Sequence, residues 1–190
     1  MSHAPTGLEL YSQTADDAAA AVINRYSTSF GIAARLLGPR PRPHVRNIYA
    51  LVRVADEIVD GPAHDAGLSP ERERAVLDGL ENEVRDAIAT GFSANLVVHA
   101  FARTARECGI TEELIAPFFA SMRTDLDTAE HDDLSHDAYV YGSAEVVGLM
   151  CLQVFLNAGM SAPARPAADL IDGARRLGAA FQDVNFLRDL

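Results

Sequence analysis

Apolar residues recur every three or four positions along most of the chain, which is the spacing of amphipathic α-helices. The chain contains no pair of alternating, valine- or isoleucine-rich runs joined by a hairpin turn, the pattern expected of paired strands. The periodicity predicts helices over residues 16–37 (with a break near Ser27), 44–59, 70–90, 94–108, 112–127, 135–158 and from 166 onward. The predicted fold class is an all-α bundle.

Proline, glycine and capping residues support these helix boundaries. Gly38 and Pro39 end one helix and Pro41 and Pro43 open the next, because proline suits a first turn but not a helix interior. Ser69 precedes Pro70 and two glutamates, which is typical of an N-cap followed by an acidic first turn.

Length and charge narrow the class of protein. The 190 residues are 48% hydrophobic and 23% charged, which is typical of one globular domain. Together with the helical pattern, this predicts a single all-α domain over residues 1–190. The 27 acidic residues exceed the 16 basic ones, all of which are arginine, and give a net charge of −11. This balance argues against a broad nucleic-acid-binding surface, which needs clustered positive charge.

The cysteines and the apolar runs predict a cytoplasmic location. Cys108 and Cys151 match neither a metal-ligand spacing nor a disulfide framework. The apolar run 146–156 is interrupted by Gln153 and is shorter than the ~20 residues that a membrane span requires. The first ten residues lack the basic head and apolar stretch of a signal peptide.

Helix 44–59 combines an apolar stripe with a polar one. The polar stripe, at helical spacing, is Tyr49, Arg53, Asp56 and Asp60. Asp56 and Asp60 are like charges one turn apart, which costs about 0.2–0.5 kcal/mol unless something compensates. Arg53 offsets part of this cost, and Mg²⁺ would offset more, because it favours carboxylates together with phosphate oxygens. From spacing alone, a hydrated acidic helix end without a ligand is the commoner explanation.

A second polar stripe lies at the far end of the chain. It repeats the same spacing at Gly178, Gln182, Asn185 and Asp189, and Arg188 adjoins it. Glutamine and asparagine in a helix that otherwise looks buried need hydrogen-bond partners. If this helix faces helix 44–59 across a bundle, the carboxylates of both converge on one point, as in bundle metal sites.

Two further segments have both a functional and a purely structural explanation. Tyr139 and Ser143 share a face of helix 135–158, in which Gly142 and Gly148 leave room for a ligand or for close helix packing. The hydroxyl groups of residues 27–29 either contact a ligand or cap a helix.

These segments resemble the squalene/phytoene synthase family, which joins prenyl diphosphates head to head. The resemblance spans residues 26–190 in the family's order: Y-S-T-S-F with A-A-R-L-L-G-P, then N-I-Y-A-L-V-R-V-A-D-E-I-V-D, S-M-R-T-D-L-D, Y-V-Y-G-S-A-E-V-V-G-L-M and G-A-A-F-Q-D-V-N-F-L-R-D-L. It implies an isoprenoid-synthase-type helical bundle around a central apolar cavity. The family's second aspartate-rich motif continues about four residues beyond Asp189 and further helices follow it, so the domain is expected to be incomplete at its C-terminus.

The resemblance also implies roles for individual residues. Metal binding is expected of Asp56, Asp60, Asn185 and Asp189. Diphosphate binding is expected of Ser27, Ser29, Arg53 and Arg188. Catalytic positions around the developing cation are expected of Tyr49, Arg53, Tyr139 and Gln182. The implied cofactor is Mg²⁺, with NADPH required only for a squalene-forming reaction.

The implied activity is a phytoene synthase-like prenyltransferase reaction of isoprenoid and carotenoid biosynthesis, with farnesyl or geranylgeranyl diphosphate as substrate. Squalene or presqualene diphosphate synthase is an alternative, as is a non-catalytic family member that acts as a binding or assembly protein. A head-to-tail prenyl synthase or terpene cyclase would also explain D-E-I-V-D, but N-F-L-R-D does not match the second motif of a cyclase. Lipid substrates lead us to expect peripheral contact with a membrane.

Overall fold

The structure is a computed structural model that describes residues 6–127 and 139–188; for Ser29, Asp127 and residues 181–188 it describes the backbone alone. Nine α-helices and a π-helical turn cover most of these residues, and no strand occurs among them. In chain order they are α1 (Gly7–Tyr26), α2 (Thr28–Leu36), α3 (Pro41–Val59), α4 (Pro62–Asp65), α5 (Pro70–Thr90), α6 (Leu96–Cys108), α7 (Glu112–Asp127), the π-helical turn Tyr141–Glu145, α8 (Val146–Asn157) and α9 (Ala168–Arg188). The prediction of an all-α fold is confirmed.

Several predicted helix boundaries are confirmed together with their physical cause. The chain breaks at Ser27, whose backbone is extended and whose Oγ accepts a hydrogen bond from the Phe30 amide at 3.1 Å. Ser69 caps α5 in the same way, because its Oγ accepts from the Arg72 amide. The bounds of α5 and α7 are those predicted.

Other predicted boundaries were wrong. The first helix starts at Gly7 rather than at residue 16, because polar contacts between Tyr11 and residues 93 and 94 hold its first turns against the chain before α6. The helix predicted from residue 94 starts at Leu96, because the Asn95 side chain caps it. The structure also starts α3 at residue 41 and α9 at residue 168, and it adds the short α4, which was not predicted.

One hydrophobic core joins α3, α5, α6, α7 and α8. Its largest fully buried side chains include Phe101, Phe118, Phe119, Leu77 and Met150. On α3 the core-facing residues Ile48, Leu51 and Ala55 are at most 2% exposed, which confirms the predicted apolar stripe. Because this face of α3 is fixed in the core, its polar stripe is held on the other side of the helix.

Helix α1 packs on α3 and α6 through small side chains. Ala15 and Ala19 lie against Ala50 and Ala100, and all four are 0% exposed. Beside them the buried Asn47 amide donates to Asp16 Oδ1, to the Ala100 carbonyl and to Thr104 Oγ1 at 3.0–3.3 Å. Small side chains allow the helices to approach closely, and the amide bonds fix their register.

Glycines allow close packing between the end of the chain and α8. A Cβ atom on Gly148 would lie 2.7 Å from the Ala174 carbonyl oxygen, and one on Gly178 would lie 2.6 Å from the Ala144 carbonyl oxygen. These pairings place α9 antiparallel to the π-helical turn and α8. Of the two explanations left open for Gly148, its closeness to Ala174 therefore favours helix packing.

The π-helical turn Tyr141–Glu145 changes the predicted face of helix 135–158. The turn inserts an extra residue between Tyr139 and α8, so the residues of α8 that lie on the side of Tyr139 differ from those that a continuous α-helix would place there. Gly142 accommodates the Pro117 carbonyl of α7, and Ser143 Oγ is buried without a hydrogen-bond partner in the described part of the chain. Residues 135–138 lie outside the described residues.

Within residues 6–127 and 139–188, none of the helices combines the length and the apolar character needed to cross a bilayer.

Candidate active site

The candidate site is built on the polar side of α3. Tyr49, Arg53 and Asp56 are half-buried there, and Asp60 is the residue that ends the helix. The amide of Asp60 donates to the Asp56 carbonyl at 2.8 Å, so the two carboxylates lie one helical turn apart, as predicted. The opposite face of α3 is buried in the core, which fixes the direction in which this stripe points.

Arg53 lies between acidic and aromatic neighbours. Its guanidinium forms an ion pair with Glu57, one turn further along α3, and its Cζ lies 4.7 Å from the centroid of the Tyr26 ring. The Arg53 Nε atom is buried and has no hydrogen-bond partner among the described residues. Since an unpaired buried donor is costly, Arg53 retains capacity to bind an anion at this position.

The start of α2 covers the other end of the stripe. Ser27, which caps α2, also forms a hydrogen bond with the Tyr49 hydroxyl, and the Phe30 and Tyr49 rings have centroids 5.9 Å apart. Burial raises the pKa of Tyr49 above its usual value, and the hydrogen bond with Ser27 opposes this rise. Ser27 is therefore both a cap and a neighbour of the candidate site, so neither explanation of its role excludes the other.

Three carboxylates influence one another electrostatically although they belong to two parts of the fold. Burial, followed by the charge of Asp60, raises the pKa of Asp56 from 3.8 to about 7, and Arg53 opposes this rise. Burial raises the pKa of Asp125 on α7 to about 6, with a further contribution from Asp60. Partial burial also raises the pKa of Asp60. The site thus gathers negative charge in surroundings that disfavour it.

Tyr139 connects this group to the segment that precedes α8. Its hydroxyl lies 3.5 Å from Asp125 Oδ2, at the limit of a hydrogen bond. Burial is the main reason why the pKa of Tyr139 is raised above its ordinary value, and the neighbouring carboxylates raise it further. Tyr139 therefore remains a neutral phenol at physiological pH, with a proton to donate.

These side chains fit Mg²⁺ bound together with a diphosphate better than they fit a bare metal ion. Among the residues the structure describes, no three His, Cys, Asp or Glu side chains are grouped closely enough to hold a metal by themselves. Mg²⁺ usually takes one or two carboxylates and completes its shell with water and phosphate oxygens. The hard oxygen donors of Asp56 and Asp60, with their mutual repulsion, match that requirement.

Comparison with known proteins identifies the family. The family model described as squalene/phytoene synthase matches residues 23–190. The chain belongs to the squalene/phytoene synthase family.

Individual relatives agree with this assignment. The chain is 31% identical over 175 residues to the chloroplastic phytoene synthase 3 of Zea mays, covering 89% of this chain and 38% of that protein. It is 29% identical over 174 residues to the 15-cis-phytoene synthase of Paracoccus sp., covering 88% of this chain and 53% of that protein. The chain thus spans about half or less of the length of these relatives.

A solved structure shows the same fold. A crystal structure of a dehydrosqualene synthase in complex with a ligand superposes with a TM-score of 0.75 at 26% sequence identity, covering 93% of this chain and 57% of the other. The chain therefore has the isoprenoid-synthase-type helical fold that the resemblance implied.

The second polar stripe of this family member is described only in part. Gly178, its first residue, faces Ala144 and Glu145, so the stripe begins on the side of α9 that packs against the π-helical turn. The side chains of Gln182, Asn185 and Arg188 lie outside the described part of the structure, as do the Ser29 side chain and the whole of Asp189. Their predicted roles in metal binding, diphosphate binding and catalysis stay predictions.

Three residues of the site were not among the predicted ones. Asp125 joins the carboxylate group from α7, Glu57 pairs with Arg53, and Tyr26 covers the Arg53 guanidinium. Asp125 and Tyr26 belong to the motifs S-M-R-T-D-L-D and Y-S-T-S-F, so the resemblance already marked the segments in which they lie. Glu57 lies four residues after Arg53 on α3, so the spacing of helix ion pairs could have identified it as the partner.

Proposed function

We propose that this chain carries the diphosphate- and metal-binding part of a Mg²⁺-dependent prenyltransferase that joins two prenyl diphosphates head to head, as a phytoene synthase does. The observation that carries the proposal is the group of Asp56, Asp60 and Asp125 next to Arg53, an anionic cluster with an arginine at its edge. Membership of the squalene/phytoene synthase family supports the same reaction class.

The diphosphate of the substrate binds at the Arg53 end of the site. The unpartnered Arg53 Nε is available to its oxygens, and Glu57 and the Tyr26 ring hold the guanidinium in place. Ser27 lies at the same end, next to Tyr49. We assign Ser29 and Arg188 to the same diphosphate by their motif positions.

Asp56 and Asp60 would hold Mg²⁺ from α3, with Asn185 and Asp189 as the proposed ligands from the second motif. When bound, the metal supplies positive charge where negative charge develops on the leaving diphosphate oxygens. The positive charge would also remove the repulsion between the Asp56 and Asp60 carboxylates. Binding of Mg²⁺ and binding of the substrate diphosphate would therefore strengthen each other.

The part of the site that surrounds the prenyl chains must exclude water, and its side chains must not react with the carbocation. Loss of diphosphate leaves an allylic cation, which the double bond of the second substrate attacks to give a new carbocation. That carbocation closes to a cyclopropyl intermediate as it loses a proton, for which the released diphosphate is an available base. The aromatic rings of Tyr49 and Tyr139 face such a cation with π electrons, and Tyr139 keeps its proton because its pKa is raised. We place Gln182 beside this cation and the prenyl chains in a central apolar cavity next to α8.

Product analysis and ligand binding test the proposal together. The protein is incubated with geranylgeranyl or farnesyl diphosphate and Mg²⁺, and the hydrocarbon extract is separated by chromatography. A C40 product formed without NADPH indicates phytoene-type chemistry, and a C30 product that requires NADPH indicates squalene-type chemistry. Calorimetric binding of inorganic pyrophosphate, with and without Mg²⁺, tests the site itself. Absence of Mg²⁺-dependent pyrophosphate binding would contradict the proposed function.

A further inference from the structure

A network of charged side chains ties α7 to α5. Arg123 of α7 donates a hydrogen bond from its Nε to Asp78 Oδ1 at 2.8 Å and forms an ion pair with Glu81, and both carboxylates belong to α5. Arg85, one turn beyond Glu81 on α5, pairs with Glu81 at 2.6 Å and with Glu112, in the first turn of α7, at 2.5 Å. The two helices are therefore tied at two points, one near the beginning of α7 and one near its end.

Glu81 is the centre of this network, because its side chain is only 6% exposed. A buried carboxylate needs compensating charge, and Glu81 has an arginine on each of its oxygens: Arg85 on Oε1 and Arg123 on Oε2. Replacement of either arginine leaves Glu81 paired with the other one. Each tie can thus be cut separately without leaving a buried charge unpaired.

Pro117 separates the two ties along α7. It lies inside the helix and has no amide hydrogen, so this turn lacks the hydrogen bond to the Glu113 carbonyl. A proline in a helix interior kinks the helix and weakens the connection between the turns on either side of it. The tie at Glu112 therefore constrains the last turns of α7 less than the tie at Arg123 does.

Asp125 lies two residues after Arg123, on the opposite side of α7. Two residues correspond to a rotation of about 200° around a helix, so the Asp125 side faces away from the carboxylates that Arg123 binds. On that side, Asp125 Oδ2 lies 3.5 Å from the Tyr139 hydroxyl, and the carboxylate is close enough to Asp60 to interact with its charge. The pairing of Arg123 with α5 sets the rotation of α7 about its axis and hence the direction of the Asp125 carboxylate.

From this geometry we infer that Arg123 is a positioning residue of the candidate site, which holds the Asp125 carboxylate beside Asp56 and Asp60 by fixing the end of α7 on α5. Both ion pairs described for Arg123 are with carboxylates of α5, so it acts on the site only through α7. The inference rests on the proposed function, in which Asp125 belongs to the diphosphate- and metal-binding site. Small displacements of a binding group matter there, since a shift of about 1 Å can cost up to about 100-fold.

A double-mutant cycle tests the inference, with calorimetry of Mg²⁺ and inorganic pyrophosphate as the measurement. Arg123→Gln should raise the Kd by about three- to tenfold, because the carboxylate of Asp125 is no longer held in place. Arg85→Gln is the matched control, since it removes the other arginine from Glu81, and it should change the Kd by less than about twofold. In the Asp125→Asn variant, Arg123→Gln should have little further effect, because the carboxylate that it positions is already absent.

A purely structural role of Arg123 would give a different pattern. Arg123→Gln would then raise the Kd by the same factor in the Asp125→Asn variant as in the unchanged protein, or Arg85→Gln would raise it equally. Either result would overturn the inference.

Hydrogen exchange in the ligand-free protein gives a readout that needs neither metal nor diphosphate. The amides of residues 124–126 should exchange about tenfold faster in Arg123→Gln, relative to the amide of the core residue Phe101, and at an unchanged rate in Arg85→Gln. Unchanged exchange at residues 124–126 in Arg123→Gln would overturn the inference. If the unchanged protein does not bind pyrophosphate, the proposed function fails, and the exchange rates still decide whether Arg123 holds the end of α7.

Discussion

The hydroxyl of Tyr139 lies 3.5 Å from Oδ2 of Asp125, across the gap between α7 and the segment that leads into α8. This pair ties the third carboxylate of the site to an aromatic residue that the sequence motifs had already marked. It also gives Asp125 a neighbour that donates a hydrogen bond, so the carboxylate has a defined position close to Asp56 and Asp60.

Replacing Asp125 should weaken ligand binding more than replacing Tyr139. Asp125→Asn removes one of three interacting negative charges, and we expect the Kd for Mg²⁺ with pyrophosphate to rise about tenfold or more, or about 1.4 kcal/mol. Tyr139→Phe keeps the ring and the carboxylate, so its Kd should change much less. Titration calorimetry measures both. Asp86→Asn, at an exposed position of α5, is the control and should bind normally.

Relief of charge repulsion at the end of α3 should appear as thermal stabilisation. In a chelating buffer, Asp56→Asn and Asp60→Asn should melt at or above the temperature of the unchanged protein, because each removes one of two repelling charges. Mg²⁺ with pyrophosphate should raise the Tm of the unchanged protein, by about 2–4 °C for each kcal/mol of binding free energy. The two variants should show little of this rise. A full ligand-induced rise in either variant would contradict the assignment of that carboxylate to the metal.

The glycines between α8 and α9 should not tolerate a methyl group. Gly148→Ala and Gly178→Ala each place a Cβ within 2.7 Å of a backbone carbonyl oxygen, and neither backbone segment can move without disturbing its helix. We expect a loss of about 1–3 kcal/mol in the free energy of unfolding. Gly173→Ala on α9 is the matched control, since a Cβ there meets nothing within 4 Å. Its better helix propensity should raise the stability by up to about 1 kcal/mol. Equal effects at all three positions would mean that α8 and α9 are not in close contact.

The contact between α1 and α6 should weaken in mild acid. His99 is 1% exposed, its Nε2 lies 3.0 Å from Ser12 Oγ, and its Nδ1 is buried without a hydrogen-bond partner in the described part of the chain. The rings of Tyr11 and Phe92 cover it, and burial, then Arg103, lowers its pKa below 6.5, while Asp16 opposes the shift. The unfolded chain therefore binds a proton at higher pH than the folded one does. The contribution of neutral, buried His99 to the stability is therefore complete above about pH 7 and declines as the pH falls through 6.5.

Urea unfolding between pH 5.5 and 7.5 measures this decline. His99→Gln should reduce the loss of stability toward acid pH relative to the unchanged protein. Some pH dependence should remain, because burial also lowers the pKa of His44, and the raised pKa values of Asp56 and Asp125 act in the opposite direction. An unchanged slope in His99→Gln would show that the ring is not buried in its neutral form.

Much of the fold and part of the candidate site follow from the sequence alone. The 3.6-residue periodicity, together with Ser27, Ser69 and the prolines, determined the all-α class and the ends of several helices, because capping and the restricted φ of proline act within a few residues. Spacing alone also predicted that one side of α3 carries Tyr49, Arg53, Asp56 and Asp60, because the geometry of a helix is local. The family motifs are likewise short, contiguous segments, so the resemblance to the family is visible in the order of residues along the chain.

Only the tertiary structure decided which of these local features meet. That Asp125 on α7 joins Asp56 and Asp60 depends on how the helices pack. The early start of α1 at Gly7 depends on contacts with the chain 82 residues away, between Tyr11 and Ser93, which no local pattern encodes. Gly148 could have faced a ligand or a helix, and its closeness to Ala174 decided for the helix. Periodicity fixes which side chains share a face, but the partner of that face is set by the packing of the whole chain.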